Sequence, residues 1–132
     1  MRGMEELRAL GERFLAAWDS QDVERVIACY TDDLVYRDPN TKGEIRSAEA
    51  LRHYLRKLFA AWTMRWTVRE LFPLAGGDGA ALLWRASFQR SAGGETITLD
   101  GMDLVLLAGD RVQRNDVYFD RAALAPLLGG VR

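Results

Sequence analysis

Two aspartates in this chain sit where a carboxyl is costly. A long strand is predicted over 96–107, and side chains alternate across a strand. Its odd positions are Ile97, Leu99, Gly101, Asp103, Val105 and Leu107. Asp103 is the one charged residue in that apolar stripe. Burial disfavours the ionised form and raises the pKa. A neutral Asp103 can donate a hydrogen bond to a ligand oxygen. The same position also suits a structural aspartate bonded to backbone or to an arginine. Asp38 closes a short strand, Leu34 to Asp38, on one face with Leu34 and Tyr36. It repeats the situation of Asp103, or it is the first residue of an Asp-Pro-Asn turn.

Further candidates lie on neighbouring elements. Asn115 shares a face with Gln113, Val117 and Phe119 on the last strand, as a ligand contact or an edge residue. Phe14, Trp18, Tyr30, Tyr36, Tyr54, Phe59, Trp84, Phe88 and Phe119 fall mostly on inward faces. Each taken alone reads as core. Together with Val117 they suit an aromatic-lined cavity for an apolar ligand. His53 reads as exposed, and Cys29 as packing.

The elements that must hold these residues follow from periodicity. Leu7, Leu10, Phe14, Leu15 and Trp18 form one helical stripe. The Asp19 to Asp22 break follows, with Ser20 or Asp22 as cap of a second helix burying Val23, Val26, Ile27 and Tyr30. Thr31-Asp32-Asp33 is expected to end it. Ser47 is predicted to cap a third helix that buries Leu51, Tyr54, Leu55, Leu58 and Phe59. The second half alternates with period two. Trp62, Met64, Trp66 and Val68 make one stripe, and Leu82, Trp84, Ala86 and Phe88 another. Turns are expected at 76–79, 93–94 and 109–110. Arg111 to Phe119 is the last strand, and 121–128 a final helical turn. The layout is α+β: three N-terminal helices in the concave face of a curved, mostly antiparallel sheet, one domain over 1–132.

Composition narrows the function. The chain has 132 residues, a net charge of -1, one Cys and one His. No basic stripe favours nucleic acid as a partner. No apolar run reaches a membrane-spanning length. One Cys and one His disfavour a His/Cys metal site, and no cofactor is called for. A lone Cys and no signal-like start make a soluble cytoplasmic protein the expectation. Met102, Leu104 and Leu106, on the second face of the long strand, suggest a homodimer through the sheet.

Four phrases carry a family resemblance: Phe14-Leu15-Ala16-Ala17-Trp18, Tyr30-Thr31-Asp32-Asp33, Tyr36-Arg37-Asp38-Pro39 and Val117-Tyr118-Phe119-Asp120. In order and spacing the chain resembles the nuclear transport factor 2-like superfamily, with its SnoaL-like and ketosteroid isomerase-like domains. The resemblance spans residues 4 to 128 and implies a conical fold around a pocket. Matched to ketosteroid isomerase, Asp38 falls at the proton-shuttling base and Asp103 at the neutral oxyanion donor. Phe14 stands where that enzyme has a tyrosine donor. Matched to limonene-epoxide hydrolase, Arg85 falls at the arginine, but Ser87 and Val117 fall at the acids. Matched to the SnoaL-like polyketide cyclases, the essential acid falls near Val117, with Asp116 adjacent on the opposite face. The resemblance therefore implies a cofactor-independent isomerase acting on an apolar cyclic carbonyl compound. The alternatives are a non-catalytic ligand-binding or dimerisation domain, and an epoxide hydrolase or cyclase.

Overall fold

The computed structural model describes residues 2–76 and 78–128. Helix α1 runs Met4–Ser20, α2 Val23–Ile27 and α3 Ala48–Ala61. The strands are β1 Tyr30–Arg37, β2 Trp62–Pro73, β3 Gly79–Arg90, β4 Thr96–Ala108 and β5 Arg111–Tyr118. A 3-10 helix, Arg121–Leu127, follows. The strand order is β1-β5-β4-β3-β2. Strands β2 to β5 form the expected antiparallel meander, and β1 adds to its edge in parallel with β5. Gly77, within the predicted turn at 76–79, lies outside the described residues.

Local chemistry explains most element ends. Asp22 accepts from the backbone N–H groups of Glu24 and Arg25 and so starts α2. Ser47 accepts from Ala50 N and starts α3. Glu5 and Glu6 place negative charge on the first turn of α1. That helix ends where Gln21 takes a left-handed conformation at φ 52°. The Gln21 side chain then ties three elements together. Its Nε2 donates to Trp62 O at 2.9 Å, and its Oε1 accepts from Met64 N at 2.7 Å. Asp19 Oδ1 accepts from Trp66 N at 2.8 Å. These bonds fix the start of β2 beneath the end of α1.

One boundary differs from the periodicity. Tyr30, expected on the second helix, is the first residue of β1. Helix α2 is only five residues long. Pairing of Tyr30 with Val112 on β5, far away in sequence, pulls Tyr30-Thr31-Asp32-Asp33 into the sheet. At its other end β1 stops at Arg37, so Asp38 is a turn residue and not part of the strand.

The concave face carries Tyr36, Met64, Leu82, Trp84, Phe88, Val105 and Asn115, all buried against α1 and α3. The aromatic residues form a continuous packed cluster. Trp18 meets Phe14, Phe59 and Trp66 edge-on and stacks on Tyr36. Phe119 packs on Trp84 and Phe88. The large aromatic-lined cavity expected from the sequence is thus filled by its own lining. The reason is bulk: rings from both layers interdigitate and use the space between them.

On the convex face Leu83, Met102, Leu104 and Leu106 are half-buried and Tyr118 is exposed. Asp116 lies on this side yet is 1% exposed, because Arg37 and Arg114 fold over it and pair with its Oδ2. Its Oδ1 and the Arg114 Nε have no hydrogen-bond partner among the described residues.

Candidate ligand site

Asp103 is set into the concave face by the pairing of β4 with β3 and β5. It stands opposite Leu82 and Val117. Trp84 lies opposite Gly101, and a side chain at Gly101 would overlap the Trp84 ring. The bare glycine therefore lets the indole lie flat on β4 and reach diagonally to the next inward residue. Trp84 Nε1 donates to Asp103 Oδ1 at 2.8 Å. Asn115 Nδ2 donates to Asp103 Oδ2 at 3.2 Å, and Tyr30 Oη donates to Asn115 Oδ1 at 2.8 Å. Four buried polar groups thus form one chain from Tyr30 to Trp84.

Asp103 is 6% exposed. Desolvation pushes its pKa up to about 6, against the lowering effect of the Trp84 and Asn115 hydrogen bonds. The charge of Asp38 adds a small upward push. Burial also holds the Tyr30 phenol well above its ordinary pKa, so the hydroxyl stays protonated and can donate to Asn115.

Beside Asp103 lies a pit of about 30 Å³, lined by Leu15, Trp18, Tyr36, Trp66, Asp103 and Val117. That volume takes a water molecule or an oxygen-sized group. Trp18 lines the same pit, and its buried Nε1 has no hydrogen-bond partner among the described residues. That N–H also acts on the Tyr30 hydroxyl, lowering its pKa, without meeting full hydrogen-bond geometry there. Trp18 lies one helical turn after Phe14 on the same face of α1, a spacing visible in the sequence.

Asp38 lies outside the pit. Its Oδ2 accepts from Tyr36 Oη at 2.6 Å and Tyr54 Oη at 2.5 Å. Its Oδ1 accepts from Asn40 N at 2.7 Å and Thr41 N at 3.1 Å. Both readings of Asp38 meet in this geometry: it builds the Asp-Pro-Asn turn, and it touches the site through Tyr36. Four donors fill the lone-pair sites of a carboxylate. Burial first, then the Asp38 charge, raises the pKa of both tyrosines.

The remaining candidates divide. Trp18, Tyr36 and Val117 line the pit with Asp103, and Tyr30, Trp84 and Asn115 support it from behind. Tyr54 holds Asp38. Phe14, Phe59 and Phe119 are packing residues around it. Phe88 lines a second cleft of about 150 Å³ with Leu58, Trp62 and Leu124, beneath the C-terminal 3-10 helix. Arg85 points outward and pairs with Asp100 at 2.8 Å, so it does not serve the site as the epoxide hydrolase match required. Trp66, part of an inward stripe in the sequence but not among the candidates there, proves to be a pit residue. Among the described residues no three His, Cys, Asp or Glu side chains gather as a metal site would require.

A SnoaL-like domain model matches residues 11–115, from the middle of α1 into β5. The chain belongs to the SnoaL-like domain family. The fold relationship extends to solved structures at low identity. A candidate isomerase from Bacillus subtilis superposes with a TM-score of 0.86 at 13% identity, covering 99% of this chain and 98% of that one. A candidate polyketide cyclase from Pseudomonas putida gives 0.77 at 17% identity, covering 89% and 94%. A protein of ketosteroid isomerase-like fold from Catenulispora acidiphila, in complex with trimethylamine, gives 0.79 at 12% identity, covering 91% and 92%. No curated protein matches the chain in sequence. This SnoaL-like domain thus has the nuclear transport factor 2-like fold expected from its four phrases. None of its described helices is long and apolar enough to cross a membrane.

Proposed function

We propose that this SnoaL-like domain binds a small apolar organic molecule through one oxygen, seated in the pit between Asp103 and the Trp18 indole. The observation that carries this reading is a buried carboxyl with a raised pKa on an oxygen-sized space that is also lined by Trp18, whose N–H lacks a well-formed hydrogen bond. A carbonyl oxygen there accepts from Trp18 Nε1 and, while Asp103 holds its proton, from Asp103, whose pKa is about 6. Developing negative charge on that oxygen strengthens both bonds, as an enol-forming reaction requires. Trp18 supplies the donor that Phe14 cannot. The ligand skeleton extends past Trp66 toward the cleft at Phe88 and Trp62, and a bulky one must part the Trp66, Phe88 and Phe119 rings. Solved relatives of the fold include one holding trimethylamine, one described as a candidate isomerase and one as a candidate polyketide cyclase.

In the catalytic form of this reading Asp38 takes a proton beside the carbonyl and returns it at another carbon, with no cofactor. Its four hydrogen bonds set a condition: the substrate must displace Tyr36 or Tyr54 to free a lone pair. That saturation favours the second reading, a binding domain without catalysis. The apolar convex face at Met102, Leu104 and Leu106 supports homodimerisation under either reading.

The double-bond shift separates the two. Incubated with a cyclic β,γ-unsaturated ketone, the isomerase moves the double bond into conjugation, seen as new ultraviolet absorbance, and Asp38→Asn abolishes the shift. Binding seen by titration, with no shift above background, establishes the passive reading. Absence of binding by a panel of cyclic ketones, steroids and aromatic polyketides overturns the ligand assignment itself.

A further inference from the structure

Another space, larger than the pit, opens elsewhere among the described residues. A cleft of about 340 Å³ lies toward the start of α1, in the size range of small-molecule sites. It shares no lining residue with the pit. Phe14 stands between them, lining the cleft and meeting the pit residue Trp18 edge-on at 6.5 Å. The walls are aliphatic: Leu7 and Leu10 from α1, and Leu82, Val105, Leu107 and Val112 from the sheet. Gly11 also faces the cleft, where a glycine inside a helix costs about 1 kcal/mol relative to alanine.

The polar residues of the cleft are Arg13, Arg111, Asp110 and Cys29. Asp110 is taken: Arg2 Nη1 donates to it at 2.9 Å and also to Glu6, while Arg2 Nε holds Asp78. Arg13 and Arg111 enter no ion pair and donate no side-chain hydrogen bond among the described residues. An aliphatic trough edged by two uncommitted guanidiniums is complementary to a chain with an anionic end. Guanidinium binds carboxylate through paired hydrogen bonds.

We propose that this cleft is a second binding site, for a medium-chain alkyl carboxylate whose chain lies along α1 and whose head group meets Arg13 and Arg111. The site shares no lining residue with the pit, so its occupation is read without any ligand at Asp103.

Cys29 makes the proposal testable. It is the only cysteine of the 132 residues and lies on the cleft wall. Its alkylation by N-ethylmaleimide, followed by intact mass, reports access to the cleft. Decanoate below its micelle concentration is expected to slow alkylation in a saturable way, about tenfold when present at ~10 times its Kd. Decanol, with the same chain and no charge, is expected to protect far less. The double change Arg13→Glu and Arg111→Glu removes protection. Ala28→Trp, a surface change that fills the cleft, prevents decanoate binding in a calorimetric titration, with the fold verified by circular dichroism. Equal protection by decanol, undiminished protection in the double variant, or no protection by decanoate overturns the proposal.

Discussion

Trp84 and Asp103 are joined by a 2.8 Å hydrogen bond that exists because Gly101 has no side chain. The indole lies over the glycine opposite it and reaches the carboxyl two residues along the same face. The sequence phrase Gly101-Met102-Asp103 and the register of β3 on β4 are therefore one device.

Gly101→Ala tests that device. The new Cβ would overlap Trp84 Cη2 and come within 2.8 Å of Tyr118 O. Displacing the indole is expected to cost about 1–3 kcal/mol, as overpacked cores do. Urea unfolding followed by tryptophan emission measures it. A cost near zero would show that Trp84 does not depend on this gap.

Stability should fall as pH rises through the window set by Asp103. Its folded pKa of about 6 lies above the ordinary 3.8, so the folded state holds its proton more tightly than the unfolded chain. The contribution is fully present below about pH 4 and is lost as pH passes 6, a change of about 3 kcal/mol. Asp103→Asn, which carries no proton to lose, is expected to flatten this slope. Chemical denaturation across pH 4–7 for both proteins is the measurement.

Asn115 links Tyr30 to Asp103, and both partners are buried. Asn115→Ala strands the Tyr30 hydroxyl and is expected to cost more than Tyr30→Phe. About 1–3 kcal/mol is expected for stranding a donor against about 1 for removing one hydroxyl. A double-mutant cycle should show coupling between the two sites. Strict additivity would mean that the chain of hydrogen bonds is not a unit.

Asp38→Ala removes the acceptor of two phenols and two backbone N–H groups. The 38–47 connection is expected to exchange its amide hydrogens faster while β3 and β4 stay protected. Ligand affinity at the pit should fall less than in Asp103→Asn, because Asp38 does not line the pit and reaches it through the Tyr36 hydroxyl and a small charge effect on Asp103.

Much of this was legible in the chain. Alternation assigned Asp103, Asn115, Trp84 and Val117 to the concave face, and local caps marked α2 and α3. What escaped reading depends on contacts distant in sequence. Tyr30 joins a strand because β5 offers it a parallel partner. Gln21, an ordinary polar residue at a helix end, anchors β2 through bonds to residues about forty positions away. The aromatic residues pointed inward as expected, but pattern alone does not tell a lined cavity from a packed core. That depends on how rings from two layers interdigitate. The saturation of Asp38 arises from Tyr54, placed there by α3 packing and not by local spacing.

The claim on which the ligand assignment rests is that Asp103 keeps its proton far above the ordinary carboxylate range while facing an open pit. Carbon-13 NMR titration of the Asp103 side-chain carboxyl, assigned by comparison with Asp103→Asn, measures this directly. A midpoint near pH 6 that moves when a ketone ligand binds is the expected result. A midpoint near 3.8, unmoved by any ligand, would contradict it.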